Sequence, residues 1–166
     1  MCYSVSMDMA EFSHNVTLMV ADASGAFREL GVSDWTRTRG EGAWTRLEIL
    51  GHLIDSAANN HQRFVRAMAE GELTWPGYDQ EAMVRVQQFG RANPSVLIAL
   101  WESFNLFLAR LMAIIPADRL GARCVIGGGE AVTLQFLVTD YVVHMQHHLR
   151  EIFEGMDVSV RWVAAP

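Results

Sequence analysis

Apolar residues recur at intervals of three and four in four long segments, the spacing that gathers them on one face of an α-helix. The first segment runs from about Met9 to Leu30, and Gly31 is its expected stop. The second opens on Thr45-Arg46-Leu47-Glu48, a capping box in which Thr45 and Glu48 satisfy each other's free amides, with Trp44 at the staple position. It is predicted to run to Glu70 and end at Gly71. The third starts at Asn93-Pro94, a cap followed by proline in the first turn, and continues to about Ile115 before Pro116. The fourth covers about Thr133 to Glu154, with Gly155 as its stop.

The connections are less regular. Between Gly71 and Asn93, Trp75-Pro76-Gly77-Tyr78 predicts a turn and Asp79 a cap for a short helix reaching Phe89. Residues Arg123 to Leu134 read as a small hairpin or an irregular loop. Gly127-Gly128-Gly129 within it is a turn rather than a phosphate cradle, because no strand–GxGxxG–helix pattern accompanies it. The expected architecture is an all-α four-helix bundle occupying residues 1–166 as one domain. The long connection between the second and third helices permits a crossover, so simple up-down-up-down order does not follow.

Composition narrows the chemistry. All thirteen basic side chains are arginine, so lysine Schiff bases, lysine general bases and a Walker A loop are excluded. A net charge of −6 disfavours nucleic-acid binding, which calls for a basic surface. Cys2 and Cys124 make no CxxC pair, which fits a reducing, cytoplasmic setting. Met1 to Ala10 lacks the pattern of a secretory signal, and no uninterrupted apolar run predicts a membrane span.

The histidines carry the most local information. His144 and His148 are one turn apart on the fourth helix, where two imidazoles can reach one metal ion. They border the apolar arc of Leu134, Val138, Tyr141, Met145 and Ile152, whereas His147 falls on the polar side. Asp140 and Glu151 share the His144–His148 stripe and are placed to orient or join the ligands. A third ligand must come from elsewhere. On the second helix His61 falls in the apolar face with Leu50, Ile54, Ala57, Phe64, Val65 and Met68. His52 lies on a polar stripe with Glu48, Asp55, Ser56, Asn59 and Arg63. By this pattern His61 is a core residue and His52 belongs to the surface or to a polar pocket. Spacing alone leaves open whether any of these histidines binds metal. Met145 stands where a zincin would carry glutamate, so the HExxH protease reading loses its base.

Three segments together resemble the DinB-like family of small helical metalloenzymes: Trp44-Thr45-Arg46-Leu47-Glu48-Ile49-Leu50-Gly51-His52-Leu53-Ile54-Asp55, Tyr78-Asp79-Gln80, and Asp140-Tyr141-Val142-Val143-His144-Met145-Gln146-His147-His148-Leu149. Their order and spacing cover nearly the whole chain. The resemblance implies an up-down-down-up bundle, frequently a homodimer, with a divalent metal, commonly zinc or nickel, on three histidines. Carried onto this chain those are His52, His144 and His148, which favours His52 over His61 and makes the polar stripe a site wall.

Three histidines leave a coordination position open, the arrangement of a catalytic site. The resemblance implies a small-molecule substrate and either metal-dependent hydrolysis or transfer of a low-molecular-weight thiol. The alternative is a metal- or ligand-binding stress-response protein without catalysis. Asp55, Asp140 and Glu102 are the candidate acid–base residues, Glu102 being the acid well inside the third helix. Arg63 and Tyr78 are the candidate substrate-binding residues, with Asp79 beside them in the connection.

Overall fold

The computed structural model describes residues 8–164, so Cys2 and most of the Met1–Ala10 segment lie outside the described residues. Four long helices dominate: α1 (Met9–Arg28), α3 (Arg46–Glu70), α5 (Pro94–Ala113) and α6 (Leu134–Ile152). Two short helices intervene, α2 (Val32–Trp35) and α4 (Gln80–Gln87). Strands β1 (Glu72–Trp75), β2 (Arg123–Ile126) and β3 (Val132–Thr133) form a small sheet in that order.

Local chemistry explains most boundaries. Asp8 caps α1 by accepting from the Ala10 and Glu11 amides. The Thr45–Glu48 capping box opens α3, and Gly71 closes it in a left-handed conformation, φ 81°. Asp79 caps α4, Asn93 caps α5 with Pro94 in its first turn, and Thr133 caps α6. α1 ends at Arg28, and Gly31 turns out to start a helix: it is the N-cap of α2, its amide held by the Asp34 carboxylate at 3.0 Å.

Side-chain pairs fix how the long helices run. Ser13 donates to the Ala109 carbonyl at 2.6 Å while Phe27 packs edge-on against Trp101, so α1 and α5 are antiparallel. On α3, Gly51 meets Phe89 just before α5, and His61 sits between Phe104 and Phe107; α3 and α5 therefore run the same way. Arg46 reaches the Glu154 carbonyl and Phe64 packs against Tyr141, so α3 and α6 are antiparallel.

The core collects Phe27, Phe64, Trp101, Met112, Met145 and Ile152, all fully buried, each worth about 1.5–3 kcal/mol on removal from water. Tyr141 donates to Asn105 at 2.5 Å, and Asn105 donates to the Trp101 carbonyl, so this buried polar group is satisfied. α5 is apolar and long enough to cross a membrane by composition, yet Trp101, Asn105, Leu108 and Met112 face the bundle.

The expected hairpin is present: β2 pairs antiparallel with β3. The finding absent from the sequence reading is β1, which pairs in parallel with β2 from Glu72–Arg123 to Trp75–Ile126. The triple glycine makes the turn, with Gly127 and Gly128 at positive φ. The Gly127 amide donates to the Trp75 carbonyl at 2.8 Å, and a Cβ on Gly127 would crowd Gly77 at 3.4 Å. This contact holds the segment leading into Tyr78 against the β2–β3 turn.

Candidate metal centre

α3 and α6 bring His52, His144 and His148 together. One ring nitrogen from each lies within 4.8 Å of the others, an arrangement that could hold a metal ion. His52 Nε2 and His144 Nε2 are 3.2 Å apart. Two nitrogens bound to one tetrahedral ion at about 2.0–2.1 Å would lie about 3.3–3.4 Å apart, so the spacing fits a shared ion.

Each imidazole is held differently. His52 is fully buried, with its ring 5.1 Å from Trp44 and its Nδ1 without a hydrogen-bond partner among the described residues. On that side packing, rather than a hydrogen bond, sets its orientation. His144 Nδ1 lies 3.5 Å from Ser56 Oγ, a long contact. His148 donates from Nδ1 to Glu151 at 2.5 Å, which leaves Nε2 as its free nitrogen. Glu151 is itself bound by Arg39.

Burial keeps these rings neutral. Loss of hydration, reinforced by the neighbouring His148 and His144, pushes His52 down to about 3. Burial and the other histidines push His144 down to about 4. Burial also lowers His148, opposed by its bond to Glu151. All three therefore offer lone pairs at neutral pH, the protonation state a metal requires. A second group, His147, His148 and Glu151, also comes within 4.8 Å, but His147 is exposed and Glu151 is already engaged by Arg39.

The pattern-based assignment of the α3 histidines fails for His61, and for His52 the surface alternative falls while the polar-pocket alternative stands. His52 is in the core, while His61 is only half-buried, packed between Phe104 and Phe107. Val65, expected on the apolar face, is 40% exposed. Within that stripe His52 and Ser56 meet His144 of α6, whereas Asp55 meets Gln87 of α4, a division that a single-helix projection cannot reveal.

A cleft of about 250 Å³ opens beside His144, and Ser56, Asn60, Arg63, Tyr78 and Asp140 line it. Thus Arg63, Tyr78 and Asp140 from the sequence reading gather at one place. Asp55 does not join them: its two carboxylate oxygens accept from Gln87 at 2.9 Å, tying α4 to α3. Burial raises the Asp55 pKa, partly offset by that bond. Glu102 pairs with Arg28 of α1, and Asp79 serves as the α4 cap. Sequence reasoning missed two residues at the centre, Arg39 on Glu151 and the Trp44 ring against His52. Trp44 was visible only as a staple, and Arg39 gave no signal.

Comparison with known proteins bears on the fold and the family. A YfiT protein of Bacillus subtilis, named as a candidate metal-dependent hydrolase, is 28% identical over 115 residues, 69% of this chain. A Bacillus licheniformis protein of the same designation is 28% identical over 112 residues, 67% of this chain. These matches span 65% and 64% of the two relatives, just under two thirds of their length. The solved structure of YfiT, described as having an unusual four-helix bundle topology, superposes with a TM-score of 0.80 at 23% identity. It covers 93% of this chain and 89% of that one, which establishes the shared fold. Residues 17–152 match the DinB superfamily, and the chain belongs to that family.

Proposed function

We propose that this protein is a metal-dependent hydrolase of small molecules, with His52, His144 and His148 holding one divalent ion, zinc or nickel. The observation that carries the reading is the convergence of three neutral imidazoles, supplied by two helices, beside a cleft. The names of the curated relatives support the same reaction class.

When bound by His52, His144 and His148, a divalent ion would supply Lewis acidity for polarising a carbonyl or phosphoryl oxygen and acidifying water. The protein's own groups do the rest. Glu151 holds the proton on His148 Nδ1, keeping the other nitrogen as donor to the ion. The Trp44 ring packs on the buried His52 and helps shield that imidazole from solvent. The cleft beside His144, lined by Tyr78 and Asp140, admits a small molecule. Asp140 is the carboxylate of the cleft and takes the general-base role in this reading.

Metal-loaded protein should hydrolyse members of a panel of small esters and amides, and His144→Ala should abolish turnover. Absence of metal-dependent turnover across the panel counts against the reading. Turnover that requires an added low-molecular-weight thiol moves it to S-transfer. Stoichiometric metal with no reaction favours the binding protein.

A further inference from the structure

We infer that Arg63 anchors a carboxylate, so that the cleft beside His144 takes small carboxylic acids and their derivatives. The inference uses the hydrolase reading only to say that this ligand is the substrate; the binding claim rests on Arg63 and its surroundings.

Two arginines of α3 are drawn out of water, and their partners differ. Arg46, 5% exposed, donates to the Asp34 and Glu154 carbonyls and has the Asp34 carboxylate at 3.8 Å. Arg63 is half-buried and forms no ion pair among the described residues, the Asp140 carboxylate acting on it only from a distance. Its one hydrogen bond there is a long one, 3.4 Å to Asn60 Oδ1, and its buried Nε has no partner. The guanidinium therefore has donors free for a ligand, and its buried Nε lacks the partner that a polar group taken out of water calls for. Burial lowers the Arg63 pKa against the pull of Tyr78 and Asp140, but a guanidinium remains charged.

The cleft sets the shape and size of that anion. Its volume of about 250 Å³ is below the range of drug-sized sites, so the ligand is small. Arg63 presents a planar fork that can hold two oxygens of one anion. The small cleft and the neighbouring Asp140 carboxylate favour a singly charged carboxylate over the more highly charged phosphate. Tyr78 and Asn60 are neutral hydrogen-bonding groups beside it, while the exposed carboxylate of Asp140 repels a second negative group. A ligand held by one carboxylate at Arg63 extends its uncharged part towards His144.

The test is equilibrium binding of butyrate, with butyramide as the neutral isostere and inorganic phosphate as the tetrahedral anion. It is made on metal-loaded protein and again after chelator treatment, followed by the ring resonances of Tyr78 and His144. Butyrate should bind saturably in both states and more tightly than either control. Arg63→Gln should weaken it about tenfold or more, with metal content and melting temperature retained. Arg63→Lys, which keeps the charge without the fork, should fall between. Equal binding of butyrate and butyramide, tighter binding of phosphate, no saturable butyrate binding, or full affinity in Arg63→Gln each overturns the inference. Should Arg63→Gln fail to fold, full butyrate affinity in Arg63→Lys overturns it equally. Loss of metal from the wild-type protein would defeat the hydrolase reading alone, because the chelated protein still reports on Arg63.

Discussion

His52 Nε2 and His144 Nε2 lie 3.2 Å apart although 92 positions separate them in the chain. Two neutral imidazoles at this distance can share one proton, but a third, His148, brings a further nitrogen to the same place. A single cation would satisfy all three lone pairs at once. The antiparallel contact of α3 with α6 creates this meeting, so the centre depends on the fold and on the ligands together.

Glu151 should govern metal affinity without being a ligand of the three-histidine centre. It accepts the His148 Nδ1 proton and is held in turn by Arg39. Glu151→Ala should weaken metal binding about 10–100-fold while the helices remain folded. Competition with a chromogenic chelator measures this, and an affinity unchanged from wild type would contradict the role given to Glu151.

Acid should destabilise the metal-free protein through the same histidines. An unfolded histidine titrates near 6.5, whereas His52 and His144 in the fold are pushed down to about 3 and about 4. Between these limits the unfolded chain binds more protons, so stability is full above about pH 6.5 and falls as pH drops towards 4. Urea unfolding of chelated protein across that window should show the decline. Metal-loaded protein should resist it until protons displace the ion. Stability of the chelated protein that rises on acidification would reverse the assigned sign.

Gly51 should be intolerant of even one methyl group. A Cβ there would meet the Phe89 ring at 2.2–2.6 Å, next to His52 and below the turn that leads into α5. Gly51→Ala should cost about 1–3 kcal/mol by overpacking. In a Phe89→Ala background most of that penalty should vanish, because the two positions touch. An equal penalty in both backgrounds, measured by urea unfolding, would show that this contact is not the constraint.

The four long helices were legible because each carries its own boundary chemistry, from the Thr45–Glu48 box to Gly71. The strand β1 was not legible. Four residues after a helix stop carry little pattern, and their partner in β2 lies about fifty positions away. Gly31 misled for a related reason: glycine both ends helices and begins them, and here Asp34 binds its amide. At the site, the His144–His148 spacing was readable within one helix. The choice between His52 and His61 was not, since it depends on which stripe of α3 meets α6. Family resemblance supplied that choice, and the structure buries His52. Glu102 was attractive as an isolated acid until Arg28 of a different helix was seen to pair with it.

Metal analysis of the purified protein decides whether the three histidines form a centre. One divalent ion per chain is expected in the wild type, reduced to background in His52→Ala, His144→Ala and His148→Ala, with Arg63→Gln unaffected. A wild-type protein that takes up no ion, or variants that retain it in full, would contradict a centre built on these three histidines.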